Sequence, residues 1–214
     1  MPGQANKEFG KNVFINCPFD PEYYSLLRPL LFTIIYLGFN PKIALEGSDS
    51  GEQRIDKICE LIKKSKYSIH DLSRLKSKKK GEFYRLNMPF ELGIDYGCRR
   101  FASNFLKGKK FLILERGAFD YKKALSDISG VDIQNHNNQP AKIVQATRNW
   151  FVETVSLKGI AGPTAIWYKF NDFASDFYTR RQAEGFSDED LNMMPIREYI
   201  NFIRNWIRAN ASSN

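Results

Sequence analysis

The chain has 214 residues, of which 43% are hydrophobic, and its formal net charge at pH 7 is +8. This length supports one core of ordinary domain size together with a smaller extension. The sequence has no run near the roughly 20 apolar residues of a membrane span. Its first residues also lack the apolar segment of a secretory signal, so we expect a cytoplasmic protein that does not bind membranes.

Cysteine and histidine are too few and too scattered to predict a metal site. The cysteines at positions 17, 59 and 98 have no Cys-x-x-Cys spacing, and the only histidines are His70 and His136. Reduced thiols are the simpler interpretation, with Cys59 and Cys98 in core stripes. Cys17 follows a strand and either packs there or lines a site. We expect no metal and no bound cofactor.

The positive charge is compatible with two classes of anionic partner. The densest basic cluster, residues 76–80, lies in a loop without interleaved aromatic residues. A solvated loop is therefore favoured over a nucleic-acid surface, which stays an alternative. The same field attracts small anions such as nucleotides, so the charge does not separate these partners.

In chain order, short β-rich runs alternate with stretches of helical periodicity. Strands are predicted at residues 12–16, 41–46, 67–71 and 110–115, with a short fifth strand and its loop within 126–138. Helices are predicted at 22–37, 52–64, 87–101 and 140–155, with a short helix at 121–125. This alternation predicts a doubly wound α/β domain over residues 12–155, in which helices cover both faces of a parallel, flavodoxin-like sheet of about five strands.

Local signals refine the ends of three helices. Pro29 would disrupt a helix interior, so we expect the first helix to begin near it or to kink there, and Gly38 to end it. A polar turn at 48–51 can cap the second helix. Asn87 is expected to cap the third, with Pro89 in its first turn.

Beyond Gly162 and Pro163 the sequence is helical and rich in aromatic residues. Segments 164–181 and 196–208 carry no strand pattern, so we predict a helical appendage over 160–210 that packs on the α/β domain. Its aromatic residues are interpreted as a core or oligomer contact, and a stacking surface for bases is the alternative. They are Trp167, Phe170, Phe173, Phe177, Tyr199, Phe202 and Trp206.

Candidate site residues follow from the strand ends, because open parallel sheets bind ligands outside the carboxyl ends of their strands. Glu91 and Asp71 are the candidate catalytic residues, Glu91 lying in the first turns of a helix that favours anions. The alternatives are a surface glutamate that satisfies the helix dipole and an aspartate that caps a turn with Ser73. The candidate substrate-binding residues are Asn16, Cys17, Phe19, Asp49, Ser50, Arg54, Ser73, Arg85, Asn87, Asp132 and His136.

Several common site motifs are absent from the sequence. There is no GxxxxGK[ST], no GxGxxG after the first strand and no GxSxG. A P-loop NTPase, a standard dinucleotide dehydrogenase and a serine hydrolase with a nucleophile elbow are therefore disfavoured.

Three segments resemble the superfamily that TIR-like domains share with nucleoside 2-deoxyribosyltransferase-like proteins. They are Val13 to Asp20, Arg54 to Asp71 and, above all, Asn87-Met-Pro-Phe-Glu-Leu-Gly93. The resemblance covers about residues 12–115. The stretch 126–130 and Asn135-His136 also resemble those of a group of uncharacterised bacterial proteins.

The resemblance implies that Glu91 supports cleavage or exchange of an N-glycosidic bond, with Asp71 or His136 as proton donor for a neutral base. The leading hypothesis is an N-glycosidase that acts on NAD or a related nucleotide as an effector of bacterial defence. Base exchange between nucleosides is one alternative, and a non-catalytic nucleotide sensor or adaptor is another. Self-association, or a partner protein, is also implied.

Overall fold

The sheet has five parallel strands in the order β2-β1-β3-β4-β5. The computed structural model describes residues 7–45, 51–75, 86–102, 105–117 and 120–211. The strands are β1 (Asn12–Asn16), β2 (Asn40–Ile43), β3 (Tyr67–Asp71), β4 (Lys110–Glu115) and β5 (Gln134–Asn135). In register, Ile15 of β1 lies between Ile43 of β2 and Ile69 of β3.

Helices cover both faces of this sheet, so the protein has the predicted doubly wound α/β fold. They are α1 (Tyr24–Tyr36), α2 (Arg54–Lys63), α3 (Asn87–Phe101), α4 (Pro140–Val155), α5 (Pro163–Ala183), α6 (Asp188–Met193) and α7 (Ile196–Ala211). Short 3-10 turns lie at Pro21–Tyr23, Phe105–Gly108, Asp120–Lys123 and Ser126–Ile128. Among the described helices, none combines the length and the apolar character that crossing a membrane requires.

The direction of strand addition reverses between β1 and β3. From β1 the chain adds β2 on one side, whereas β3, β4 and β5 follow on the other. In folds of this order the crevice outside the carboxyl ends at the reversal is the usual ligand site. The residues that follow β1 and β3 are therefore the first candidates for a site.

Strand β1 is fully buried because it contributes to a different core on each face of the sheet. Val13 and Ile15 pack with α1, α4 and the C-terminal helices, whereas Phe14 points to the opposite face and packs with Ile58 and Ile62 of α2. Successive side chains of a strand alternate between faces. A strand that is covered on both sides therefore reads as an apolar run, as Val13 to Ile15 and Phe111 to Leu114 do. Strands β1, β3 and β4 match their predicted bounds.

The aromatic residues of the C-terminal helices belong to the main core, as the packing interpretation predicted. Phe170, Phe173 and Phe177 are buried in α5, and Tyr199 is buried in α7. The ring of Phe32 in α1 stacks on that of Phe173 at 5.6 Å between centroids. These helices therefore extend the apolar layer that α1 and α4 lay on the sheet.

The helix does not begin near Pro29, because α1 begins at Tyr24 and Pro29 lies inside it. Proline in the second turn removes one backbone hydrogen bond. Full burial of Leu27, Leu30 and Leu31 on the same helix outweighs that loss. The prediction for Gly38 is confirmed, because this residue follows the helix with a φ of +83°.

Three other element ends differ from the predictions. Strand β2 ends at Ile43, earlier than expected. Gln53, rather than the turn at 48–51, occupies the N-cap position of α2, and Ser48 to Ser50 lie outside the described residues. Leu86 stands at the N-cap of α3, so Asn87 is its first helical residue and not its cap.

Candidate active site

Asp71 lies at the centre of a buried polar cluster where β3 ends. Its Oδ1 accepts a hydrogen bond from the backbone N–H of Ser73 at 2.8 Å. Its Oδ2 lies 3.0 Å from Nε2 of His136 and accepts a hydrogen bond from the hydroxyl of Tyr23. Asp71 and His136 are fully buried. The cluster thus joins the loops that follow β1, β3 and β5.

Asp71 is held in its ionised form. Burial raises the pKa of this carboxyl group, but hydrogen bonds from His136, Ser73 and Tyr23 outweigh burial, and the net effect lowers its pKa. A carboxyl group with a lowered pKa has no proton to donate near neutral pH. The geometry therefore disfavours Asp71 as the proton donor that the resemblance offered, and leaves it as a fixed negative charge.

The hydrogen bonds of His136 define its neutral tautomer. The backbone N–H of Asn138 donates to Nδ1 at 3.1 Å, so Nδ1 carries no proton and Nε2 carries it. Both Asp71 Oδ2 and Ser73 Oγ, the latter at 2.9 Å, face the same Nε2. A hydrolytic triad needs its serine and its aspartate on opposite ring nitrogens. These three residues therefore do not form one.

A cleft of about 710 Å³ opens beside this cluster. Its walls come from the start of α1 and from the loops that follow β3, β4 and β5, and they include Tyr23 and Ser73 of the cluster. Arg74 closes one side, donating to Asp20 at 2.8 Å and to Glu22 at 3.0 Å. The other lining residues are Ser25, Leu26, Leu72, Leu75, Glu115, Arg116, Gly117, Asn137 and Asn138.

Glu91 occupies a separate buried position in α3, outside the lining of this cleft. Only 4% of the residue is exposed. Burial raises the pKa of its carboxyl group to about 7, against the opposing charge of Arg54. Among the residues that the structure describes, none donates a hydrogen bond to this carboxyl group. Glu91 is therefore a buried acid whose pKa is governed by burial and, in the opposite direction, by the charge of Arg54.

Cys17 connects the two carboxylates. Its thiol is fully buried, and burial raises its pKa, with further contributions from the charges of Asp71, Glu91 and Asp20. The charges of Glu91 in α3 and Asp71 in β3 thus both raise the pKa of one thiol. Their own pKa values are shifted in opposite directions, upward by burial at Glu91 and downward by hydrogen bonds at Asp71.

Asn16 uses its amide inside the protein. Its Nδ2 donates to the backbone oxygen of Met88 at 2.8 Å and lies 3.1 Å from Nδ1 of His70. His70 Nε2 lies 3.1 Å from Asp95 Oδ2, and Lys109 Nζ lies 3.2 Å from Asp95 Oδ1. The predicted substrate-binding residue Asn16 is therefore one end of a buried polar chain.

Other predicted site residues are spread around the same edge. Arg54 is exposed as the first residue of α2, and Asn87 is exposed as the first residue of α3. Phe19 is half-buried against the main core, and Asp132 is exposed after the last 3-10 turn. Asp49, Ser50 and Arg85 lie outside the described residues.

Three residues of these clusters were not predicted from the sequence, namely Tyr23, Asp95 and Lys109. The sequence does contain a pattern that indicates Asp95, because residues 88, 92 and 95 share one helical face. The first two, Met88 and Leu92, are apolar and buried. A charged residue in such an apolar stripe indicates a buried partner. Tyr23 had no such signal, since its contact with Asp71 depends on how the loop after β1 folds.

None of the family models, curated proteins or solved structures that were compared with the chain matches it. Within the described ranges, no three His, Cys, Asp or Glu side chains are grouped so that they could hold a metal ion.

Proposed function

We propose that this protein hydrolyses the N-glycosidic bond between base and ribose in NAD or a related nucleotide, with Glu91 acting on the reacting sugar. The observation that carries the proposal is the buried carboxyl group of Glu91, whose pKa is raised to about 7. Burying an acid without hydrogen-bond donors is unfavourable. Groups with such shifted pKa values concentrate at functional sites.

The sequence resemblance supports the same residue independently. In the superfamily that segment 87–93 resembles, a glutamate of this helix serves glycosidic bond cleavage, and Glu91 is its counterpart. The strand order supports a ligand at this edge of the sheet, because the reversal lies between β1 and β3.

The chemistry fits a single buried carboxylate. When the bond between C1' and the nicotinamide nitrogen breaks, its electron pair goes to nicotinamide, which leaves as a neutral base and needs no proton. The sugar that remains is cationic at C1', and the Glu91 carboxylate stabilises that charge. Water then adds to C1' and gives its proton to Glu91.

The carboxyl edge of the sheet offers hydrogen-bonding groups for the hydroxyl groups of a ribose. Asp71 is a fixed acceptor, and Ser73 beside it reaches the cleft. The net charge of +8 attracts nucleotides. Because Glu91 must be ionised to act in this way, activity on NAD is expected to fall about tenfold per pH unit below about 7 and to level off above it.

The test is release of free base, followed by chromatography, from NAD and from a panel of nucleosides and nucleotides at high protein concentration. Glu91→Gln is expected to lower the rate at least 100-fold. Glu153→Gln, an exposed site on α4, is the matched control and should leave the rate unchanged. Equal rates for wild type and Glu91→Gln would reject the role of Glu91.

Two other results would redirect the proposal. Incorporation of a labelled free base into the product would make the protein a base-exchange enzyme. Tight nucleotide binding without base release, insensitive to Glu91→Gln, would make it a sensor or adaptor.

A further inference from the structure

We infer that Asn16, His70, Asp95 and Lys109 form a positioning network, whose role is to hold α3 against the sheet so that Glu91 stays at the carboxyl edge. The inference rests on the proposed function of Glu91. All four residues are between 0% and 1% exposed, so none of them contacts solvent or a ligand directly.

The network fixes α3 on both sides of Glu91. Asn16 in β1 donates to the backbone oxygen of Met88, before Glu91. His70 in β3 and Lys109 before β4 contact Asp95, after Glu91. Residues three and four apart lie on the same side of a helix. The two anchors therefore flank Glu91 on the sheet-facing side of α3.

His70 joins Asn16 to Asp95 through its two ring nitrogens. Because Asn16 Nδ2 is a donor, Nδ1 of His70 accepts, and the ring proton lies on Nε2, which donates to Asp95. The rings of Phe14 and Phe111 pack edge-on against that of His70, with 6.0 and 5.9 Å between ring centroids. The imidazole is thus fixed in both tautomer and orientation.

Lys109 extends the network to α2. Its Nζ donates to the backbone oxygen of Ile62 at 2.7 Å and to that of Ser65. These carbonyl groups lie at the end of the helix that Arg54 begins, and the charge of Arg54 opposes the raised pKa of Glu91. One ammonium group therefore ties α2, α3 and the sheet together.

Stability alone does not account for these residues. A buried ion pair is often no more stabilising than apolar side chains of the same volume, because both charges lose their hydration. The polar network instead fixes the position of α3, because its hydrogen bonds hold an atom of α3 relative to an atom of β1 or β3. Such fixing matters for a group that must stay close to a reacting carbon.

The first test reads the pKa of Glu91 without any substrate. The free energy of unfolding is measured from pH 4 to 9 for each protein and for the same protein with Glu91→Gln. The difference between the two free energies diverges with pH up to the pKa of Glu91 in the folded protein. In the wild type the divergence is expected to run up to about pH 7. Asp95→Leu combined with Lys109→Met removes the anchor and should move the divergence toward the ordinary value of 4.5.

The conservative variant Asp95→Asn, with Lys109 retained, is the rescue control. The amide oxygen that Asp95→Asn introduces would still accept the proton of His70, so the divergence should stay near pH 7 and base release should remain within about twofold of the wild type. The Leu/Met pair should lower kcat by roughly 10-fold to 100-fold with little change in KM. If the Leu/Met pair does not fold, Asn16→Ser, which shortens the other anchor, should give the same shift.

Each outcome decides a separate claim. A folded anchor-free variant whose Glu91 still titrates near pH 7 would show that the network is only structural. A shifted divergence in a protein that releases no base from any nucleotide would keep the positioning network and reject the proposed glycosidase.

Discussion

The C-terminal helices and the carboxyl edge of the sheet are built on opposite principles. In the helices, large rings share one apolar layer, and each touches several others, as Phe173 touches Phe32, Tyr199 and Trp206. At the carboxyl edge, single hydrogen bonds join residues far apart in sequence, such as Asp71 and His136. The first region tolerates small shifts of its members, whereas the second depends on individual atoms.

The largest effect on stability is expected in the aromatic layer. Phe173→Ala should lower the free energy of unfolding by about 3–5 kcal/mol, because it leaves a cavity under a ring that is 1% exposed. Urea unfolding measures the loss, and Tyr168→Ala on the exposed face of α5 is the control. A loss under about 1 kcal/mol would mean that α5 is not part of the core.

At the carboxyl edge, substitution of Glu91 should raise the free energy of unfolding and not lower it. A carboxyl group whose pKa rises from 4.5 to about 7 on folding destabilises the protein as pH increases between those values. Glu91→Gln should therefore stabilise the protein by up to about 3 kcal/mol at pH 8 and by nothing at pH 4. Thermal unfolding at both pH values measures this, with Glu153→Gln as the control. A variant that is less stable at pH 8 would contradict the expected cost of burying this carboxyl group.

A smaller loss is expected at Tyr23. Tyr23→Phe removes a hydrogen bond to the ionised Asp71 and should cost about 2 kcal/mol at neutral pH. Because the pKa of Asp71 is lowered in the folded state, its stabilisation is present above 3.8 and is lost as pH falls below that value. The difference from the wild type should shrink in acid. Tyr168→Phe, which is exposed, should show no difference at either pH.

These contrasts also explain what the sequence could predict. Periodicity and breakers gave β1, β3 and β4 and the bounds of α4, because burial on both faces and Pro140 leave local patterns. The end of β2 and the start of α1 depend on tertiary packing, which outweighed Pro29. Local pattern was sufficient where a single element decides its own ends.

The candidate site was predictable only in its local parts. The strand-end rule found Asp71 and Ser73, which contact each other two residues apart. The contact of His136 with Asp71 joins residues 65 positions apart and requires the strand order, so no short stretch of sequence predicts it. The opposite pKa shifts of Glu91 and Asp71 follow from burial and partners, which only the folded chain supplies.

The burial of Cys17 makes its thiol a probe for local opening of the carboxyl edge of the sheet. A thiol reagent reacts with the thiolate, and this thiol is both inaccessible and high in pKa. Labelling of Cys17 must therefore wait for the edge to separate, while the half-buried Cys59 and Cys98 are reached sooner. The rate at which mass is added at position 17 would count those openings in the unmodified chain.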